Sequence, residues 1–438
     1  MYTSVKCLAL LLFTNTLSSE MAFINEGRFN MGQKNNLDDE VPVHRLFVSA
    51  FFISQNEVTI GDWKKVVIWA EYNGYNFSNH QYDPRPGIDR SGDIQPDQFP
   101  MNSITWYDAV KWCNARSEME GRTPCYYLDT QHNIVYRKGK EDIDSDMVNW
   151  KASGFRLPTE AEWEKAARGK YSGYNYPWGT KIDEAMANYK NSKDPFESGI
   201  GGISPIGYYD GNQTIHLSKN LELSNMKNSN GLYDVIGNVS EWCWDWYDEG
   251  WYKKSKSKVQ DTTGPTFSEA TKYTFEGVPL DGKRKVHRGG AFDDGPTDEG
   301  KPLRIAFRHV EYPHSYQWTV GLRFVRSNVE DELWLGMDSF DNYPNWYFVN
   351  WFGYFYQKNS RWVFHTQFGW IYPQGLGSYD NWIYFLKHGW MWTSKLVFPY
   401  FYSSEDETWY KYLQNNYETG WFKNYLTEEK KRLGRIYP

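Results

Sequence analysis

Apolar positions alternate near the start of the chain, take helical spacing in three places, thin out over a long polar stretch, and return as a dense aromatic run at the end. MAFINEGRFNMG at 21–32 reads as strand with a glycine turn, and the alternation in LFVSAFFIS at 46–54 predicts one further strand. In NEVTIGDWKKVVIWA at 56–70, Thr59 is placed to cap a helix, with Asp62 three residues on and a stripe of Trp63, Val66, Val67 and Ala70. A second helix follows Thr105, with Asp108 in its first turn, a face of Ala109, Trp112 and Cys113, and Gly121 as its stop.

The third helix has the clearest local chemistry. In RLPTEAEWEKAARG at 156–169, Pro158 blocks helix upstream, Thr159 caps, and Glu162 completes a capping box. Acidic residues fill the first turn, while Lys165 and Arg168 sit in the last, matching the helix dipole. Trp163, Ala166 and Ala167 form the face to be buried, and the helix itself carries no expected catalytic role. From Tyr171 to Leu232 the chain reads as loop, a length that normally needs something to pin it, bound metal being one candidate.

After Ser327 the composition shifts to Trp, Tyr and Phe. Three units share a Trp followed seven residues later by Gly-aromatic-apolar-aromatic: Trp346 with Gly353, Trp362 with Gly369, and Trp382 with Gly389; a looser fourth runs from Trp409 to Gly420. Short β-hairpins that share a core fit this spacing. The rings either fill that thin core or stack on a ligand such as a sugar, as in cell-wall-binding hairpin repeats, to which the cadence bears a loose similarity. LTEEKKRLGRIYP at the end reads as a charged helix or tail.

The 438 residues allow two or three domains, and 18% aromatic content with 22 Trp and 34 Tyr supplies ample apolar area. A net charge of −7 without basic runs excludes a general nucleic-acid binder. Lys6 and the apolar run Cys7–Leu17 read as a secretory signal cleaved near Ser18–Glu20; the alternative is a buried strand. The run is too short to span a bilayer. A leader over 1–19 would make the protein secreted or periplasmic. The other cysteines are Cys113, Cys125 and Cys243. Cys113 and Cys125 either pair in an oxidising compartment or remain buried free thiols.

RLPTEAEWEKAARG, PWG at 177–179, GLYDVIGNVSEW at 231–242, RGGAF at 288–292 and VGLRFVRS at 320–327 occur in the order of the formylglycine-generating-enzyme, or sulfatase-modifying-factor, family, which the chain resembles. The resemblance implies an α+β fold related to C-type lectins, with little regular structure, over residues 20–327, followed by the hairpin module at 328–438. It also implies calcium. One family site maps to Asp234, the Gly237 and Val239 carbonyls and Glu241, all hard oxygen donors. The other maps to Asn188 and the Tyr189 and Tyr209 carbonyls, its expected aspartate falling on Gly207, which predicts a weak site.

Active members of the family hold copper(I) on two cysteines after RGG and oxidise a sulfatase cysteine to formylglycine. Here those positions fall near Asp294 and near Glu299 or Gly300, and the last cysteine of the chain is Cys243. Carboxylates are hard ligands, so copper is not expected and the implied oxidase activity does not carry over. Arg288 and Arg308 lie near the acidic run Asp293, Asp294, Asp298 and Glu299; they either pair with it or grip a ligand carboxylate. The expectation is a binding protein for an unknown protein or glycan, the alternative a protein-modifying oxidoreductase.

Overall fold

The computed structural model describes residues 21–34, 37–78, 96–196, 202–213, 223–270, 274–275, 278–279, 283–328, 338–339, 343, 345–349, 351–357, 362–374, 381–386, 388–394, 397–413 and 421–432. The expected leader, Cys7 and Gly420 lie outside them. In chain order the elements are β1 (Met21–Ile24), β2 (Gly27–Met31), β3 (His44–Val48), β4 (Phe51–Ser54), α1 (Ile60–Tyr72), α2 (Trp106–Met119), β5 (Phe155–Arg156), α3 (Glu160–Arg168) and β6 (Ser240–Trp246). They continue with β7 (Thr274–Phe275), β8 (Val278–Pro279), β9 (Lys285–Arg288), β10 (His309–Glu311), β11 (Val320–Gly321) and β12 (Val325–Ser327). Eleven C-terminal strands complete the chain: β13 (Asp338–Ser339), β14 (Trp346–Val349), β15 (Gly353–Tyr356), β16 (Val363–His365), β17 (Gly369–Gln374), β18 (Asn381–Phe385), β19 (Gly389–Thr393), β20 (Tyr400–Ser403), β21 (Thr408–Tyr412), β22 (Trp421–Asn424) and β23 (Lys430–Arg432). Few helices and many short strands make this an α+β chain. None of the described helices is long and apolar enough to cross a membrane.

Two compact units are distinguished, the first comprising Met1–Lys65, His80–Thr105 and Pro158–Phe324, the second Val66–Asn79, Trp106–Leu157 and Val325–Pro438. In the first, β1 pairs antiparallel with β4 and β2 with β3. The single strand expected over 46–54 is therefore two. Ser49 breaks it, because the Asp261 carboxylate accepts both its N–H, at 2.6 Å, and its hydroxyl, at 2.7 Å. A four-stranded sheet runs β10-β9-β6-β11, and every residue of its central strand β6 is buried. Asp62 N–H bonds the Thr59 hydroxyl at 3.0 Å, as the sequence pattern of α1 requires.

Helix α3 opens with the full capping box: Glu162 N–H donates to the Thr159 hydroxyl and Thr159 N–H to the Glu162 carboxylate. Asp245 on β6 adds a third cap, accepting the Glu160 N–H at 2.7 Å. Helix α3 then buries two carboxylates on successive turns, Glu160 and Glu164. Arg308 grips Glu160 bidentately, at 2.7 and 3.0 Å, and Arg288 bonds Glu160 at 2.9 Å. Arg288 also pairs with Glu164, which binds Arg168 at 2.7 Å and accepts the Gly32 N–H at 2.8 Å. Neither Arg288 nor Arg308 pairs with the acidic run 293–299 as the first sequence alternative had it, because both reach inward to α3. Their guanidinium groups are fully buried, where an unpaired charge is prohibitive but a paired, hydrogen-bonded one is tolerated. A similar pair joins Arg304 to Glu40 at 2.7 Å.

In the second unit, α2 is buried along nearly its whole length, and β5 pairs with β12. Cys113 and Cys125 are buried and not joined by a disulfide, so of the two alternatives the structure adopts buried thiols; Cys243, in the first unit, is likewise a buried thiol. The C-terminal strands form one antiparallel sheet in sequential order β13 to β23. Gly353, Gly369 and Gly389 each open a return strand with positive φ, which a side chain would strain. Within the segment expected to be a charged helix or tail, Lys430–Arg432 pair with β22 as a strand.

Phe368 lies 5.9 Å from Phe422 although β17 and β22 are five strands apart. At about 4.8 Å per strand a flat sheet would separate them by roughly 24 Å, so the sheet curls on itself. Its inner face buries Phe355, Val363, Ile371, Ile383, Met391, Phe401 and Phe422. The opposite face is a half-exposed aromatic ladder that includes Trp362–Tyr372, Tyr384–Trp390, Trp392–Trp409 and Tyr402–Trp409. The rings thus alternate along each strand between core and surface, so core filling accounts for one set of them.

His365 on β16 plugs the inner face. One ring nitrogen, Nε2, bonds the Phe352 carbonyl at 3.0 Å, while Nδ1 accepts from the N–H groups of Gln367 and Phe368 at 3.1 and 3.3 Å. This fixes the neutral Nε2–H tautomer, and burial lowers its pKa from 6.5 to about 3. Protonation is therefore held off in the folded state and free in the unfolded one. Stability is complete above about pH 6.5 and falls by about 1.4 kcal/mol per unit as pH drops toward 3. The hydrogen-exchange protection factors of β16 and β17, corrected for the intrinsic pH dependence of amide exchange, should fall over that window, and His365→Leu should flatten the dependence; pH-independent protection in the wild type would refute the assignment.

Candidate functional site

Three loops of the first unit meet. Gly237 N–H donates to the Gly289 carbonyl at 3.0 Å, Phe292 N–H to Asn238 O at 2.9 Å, and Asn238 N–H to Asn188 O at 2.8 Å. The GNVSEW loop, the RGGAF loop and the segment at Asn188 are thereby locked together. Gly237 must be glycine, since its φ is +78° and a Cβ would lie 2.0 Å from the Asn188 oxygen. Gly290 has φ +72° and a Cβ there would meet the Leu303 side chain at 2.9 Å.

The two residue sets expected for separate calcium sites are brought into one neighbourhood. Asp234 accepts the N–H of Gly207, the position that lacks the family's aspartate, at 2.6 Å. Asn188 donates from its side chain to Gly202 O at 2.8 Å. The Tyr189 carbonyl accepts from Ser192 N–H and the Tyr209 carbonyl from Met226 N–H, each at 2.8 Å. The Tyr209 hydroxyl donates to Asp194 at 2.9 Å.

Glu241 is not free as the sequence suggested. Arg323 bonds both its oxygens, at 2.8 to 3.0 Å, and Trp163 Nε1–H donates to one at 2.6 Å. Arg323 also donates to the Ser54, Gln55 and Tyr233 carbonyls, so Glu241 anchors a guanidinium that ties four segments.

Sequence reasoning missed Glu57. This buried carboxylate accepts from the Asn238 side chain at 2.8 Å and from Val239 N–H at 3.2 Å. Burial first, then the Asp234 and Glu241 charges, raise its pKa well above the usual carboxylate range. Asp234 is pushed up to about 6, chiefly by desolvation. Three carboxyl groups therefore lie in the field of one guanidinium, which hydrogen-bonds only Glu241 among them, making a crowded hard-oxygen environment. The signal available in sequence was only that Glu57 precedes a helix cap, where an acid is ordinary.

The acidic loop after RGG caps its own turns. Asp294 accepts the Ala291 N–H at 2.9 Å, and Asp298 accepts the Gly295 N–H at 2.8 Å. Lys190 holds the loop through its N–H on Asp294 O at 3.0 Å and its ammonium on Asp298 at 3.4 Å. Of Arg288, Asp294 and Arg308, expected to share a pocket, Arg308 lines an open cavity whose walls include neither Arg288 nor Asp294, and Arg288 is consumed by Glu160 and Glu164. The one cysteine among β6 residues, Cys243, is sealed, and burial drives its thiol pKa well up, so it is no nucleophile. Among the described residues no group of three His, Cys, Asp or Glu side chains is arranged to hold a metal.

Comparison with known proteins agrees with these blocks. The pattern described as "Sulfatase-modifying factor enzyme 1-like domain" matches residues 12–328. A Paenibacillus barcinonensis protein, "Chaperone protein LppX", is 30% identical over 246 residues, 53% of this chain and 73% of that protein. "Serine/threonine-protein kinase pkn1" of Chlamydia caviae is 29% identical over 317 residues, 70% of this chain but 38% of the kinase. The "Formylglycine-generating enzyme" of Thermomonospora curvata is 27% identical over 293 residues, 63% of this chain and 83% of the enzyme. Among solved structures, "Treponema denticola variable protein 1" covers 71% of this chain and 97% of its own, at 24% identity and a TM-score of 0.48. With the matched pattern extending from before β1 to beyond β12 and supplying all three converging loops, the chain belongs to the sulfatase-modifying factor enzyme 1-like family.

Proposed function

We propose that this chain is a non-catalytic member of its family, a secreted or periplasmic protein that binds a ligand or surface. The observation that carries the reading is the loop after RGGAF. Copper(I) oxidation needs two thiolates there; the chain has Asp294 and Glu299 or Gly300, and Asp294 is spent on capping the Ala291 turn. A carboxylate that accepts backbone N–H groups preserves the turn and supplies no soft ligand.

The surface that would do the binding is the outer face of the C-terminal sheet. Its strand positions include Trp370, Tyr372, Trp382, Tyr384, Trp390, Trp392, Tyr400, Tyr402 and Trp409, with Lys411 over the Tyr400 ring at 5.5 Å at one end. Flat, partly wet rings on a rigid sheet favour a neutral ligand with its own apolar faces, which a polysaccharide has. The full-length chain should be retained on an insoluble polysaccharide, with Trp370→Ala weakening retention a few-fold. A sulfatase-derived cysteine peptide incubated with it, copper and oxygen should stay unchanged by mass spectrometry. Conversion of that cysteine would establish the oxidoreductase reading instead, and failure to bind any polysaccharide would remove the surface role.

Calcium belongs to the same proposal. The crowding of carboxyl groups around Asp234 fits a hard divalent cation. Asp234 with the Gly237 and Val239 carbonyls would hold it, and Glu241 would contribute only by sharing its oxygens with Arg323. The bound ion would brace the loops, with no chemical step through it. Calcium should raise the melting temperature of the wild type, and Asp234→Asn should abolish the rise; an equal rise in both proteins would place the ion elsewhere.

A further inference from the structure

An open pocket of about 630 Å³ lies outside the converging loops. Its walls are Leu37–Asp39 on one side and Tyr247 and Glu249 on the other, with Phe307 to Val310 between them. The volume is in the range of small-ligand sites, about 300–1,000 Å³. The pocket is built rather than incidental. Arg308 donates to the Asp39 carbonyl at 3.3 Å and to the Asp248 carbonyl at 3.1 Å, so one guanidinium pins both walls while its remaining bonds go to Glu160. Having turned its donors to these partners, Arg308 is poorly placed to grip a ligand carboxylate, which was the second sequence alternative.

The lining has the opposite preference. Asp39 is nine-tenths buried. Its Oδ2 accepts the Tyr247 hydroxyl at 3.0 Å, and Oδ1 has no hydrogen-bond partner among the described residues. Asp38 and Glu249 are exposed at the rim, also without a protein partner among the described residues. Phe307 and His309 pack at 4.4 Å and add ring surface. His309 bonds the Pro302 carbonyl through Nε2 at 3.0 Å, and burial lowers its pKa, so it brings no positive charge at neutral pH.

We infer that this pocket binds a small organic cation with ammonium or guanidinium groups on an aliphatic stem, one cationic end on Asp39 and the stem along Tyr247 and Phe307. A buried carboxylate with an open oxygen wants a charge-assisted donor, while Tyr247 and Phe307, which already carry the Arg308 and Arg304 guanidinium groups at 4.9 and 6.0 Å, offer apolar surface to the stem. The two rim carboxylates suit a second positive end. The inference is independent of the polysaccharide reading, since it uses other residues.

Agmatine is a suitable probe, carrying a guanidinium and an ammonium on four carbons. Calorimetric titration of the full chain at low ionic strength should show saturable one-site binding that weakens with added salt. Asp39→Asn should weaken it about tenfold or more, as expected for loss of a charge-assisted bond, and Glu249→Gln about threefold. Because Glu249 is exposed, its variant keeps the measurement informative if Asp39→Asn perturbs folding. Uncharged 1,6-hexanediol should not compete. Absence of saturable agmatine binding, wild-type affinity in both variants, competition by hexanediol, or displacement by equimolar calcium would each overturn the assignment.

Discussion

Everything in the first unit leans on two carboxylates of α3. Glu160 and Glu164 are buried on one helix, one turn apart, and between them they receive Arg288 from the strand before the RGG turn, Arg308 from the start of β10, Arg168 from the helix's own last turn, and the backbone of Gly32. Burying five charged groups is costly, and the cost is offset only if every one finds partners. That requirement fixes where the RGG turn and the 304–310 segment can run. Arg308 carries the constraint on to the pocket walls, and Arg323 with Glu241 repeats the device beneath the GNVSEW loop. Long segments without regular structure are thus held by ion pairs and hydrogen bonds instead of by sheet or helix ladders.

This arrangement leaves the loop after RGGAF outside the buried ion pairs that hold the scaffold. The loop after RGGAF needs something to satisfy the Ala291 and Gly295 amides, and Asp294 and Asp298 do so. None of the network's charged partners depends on a thiol in that loop. The ion-pair network that holds the fold is thus separate from the RGGAF loop where the proposed loss of chemistry lies.

What was legible in sequence was local. The capping box at Thr159 and Glu162, the Thr59 cap and the glycine-opened returns at Gly353, Gly369 and Gly389 depend on neighbours a few residues away, and spacing exposes them. The curl of the C-terminal sheet, Glu57 beside Asn238, and the partners of Arg288 and Arg308 join residues 54 to 181 positions apart, where no periodicity points. The sequence break at Ser49 was hidden for the same reason, its cause being Asp261. Charge proximity along the chain was misleading: the arginines nearest the acidic loop in sequence face the other way.

The most direct test is backbone hydrogen exchange of Glu160–Arg168 in Glu164→Ala. Removing one partner from a buried pair costs about 3–5 kcal/mol, so exchange of α3 should quicken by roughly a hundred- to several-thousand-fold. Exchange indistinguishable from wild type would mean that the buried arginines do not hold the first unit together.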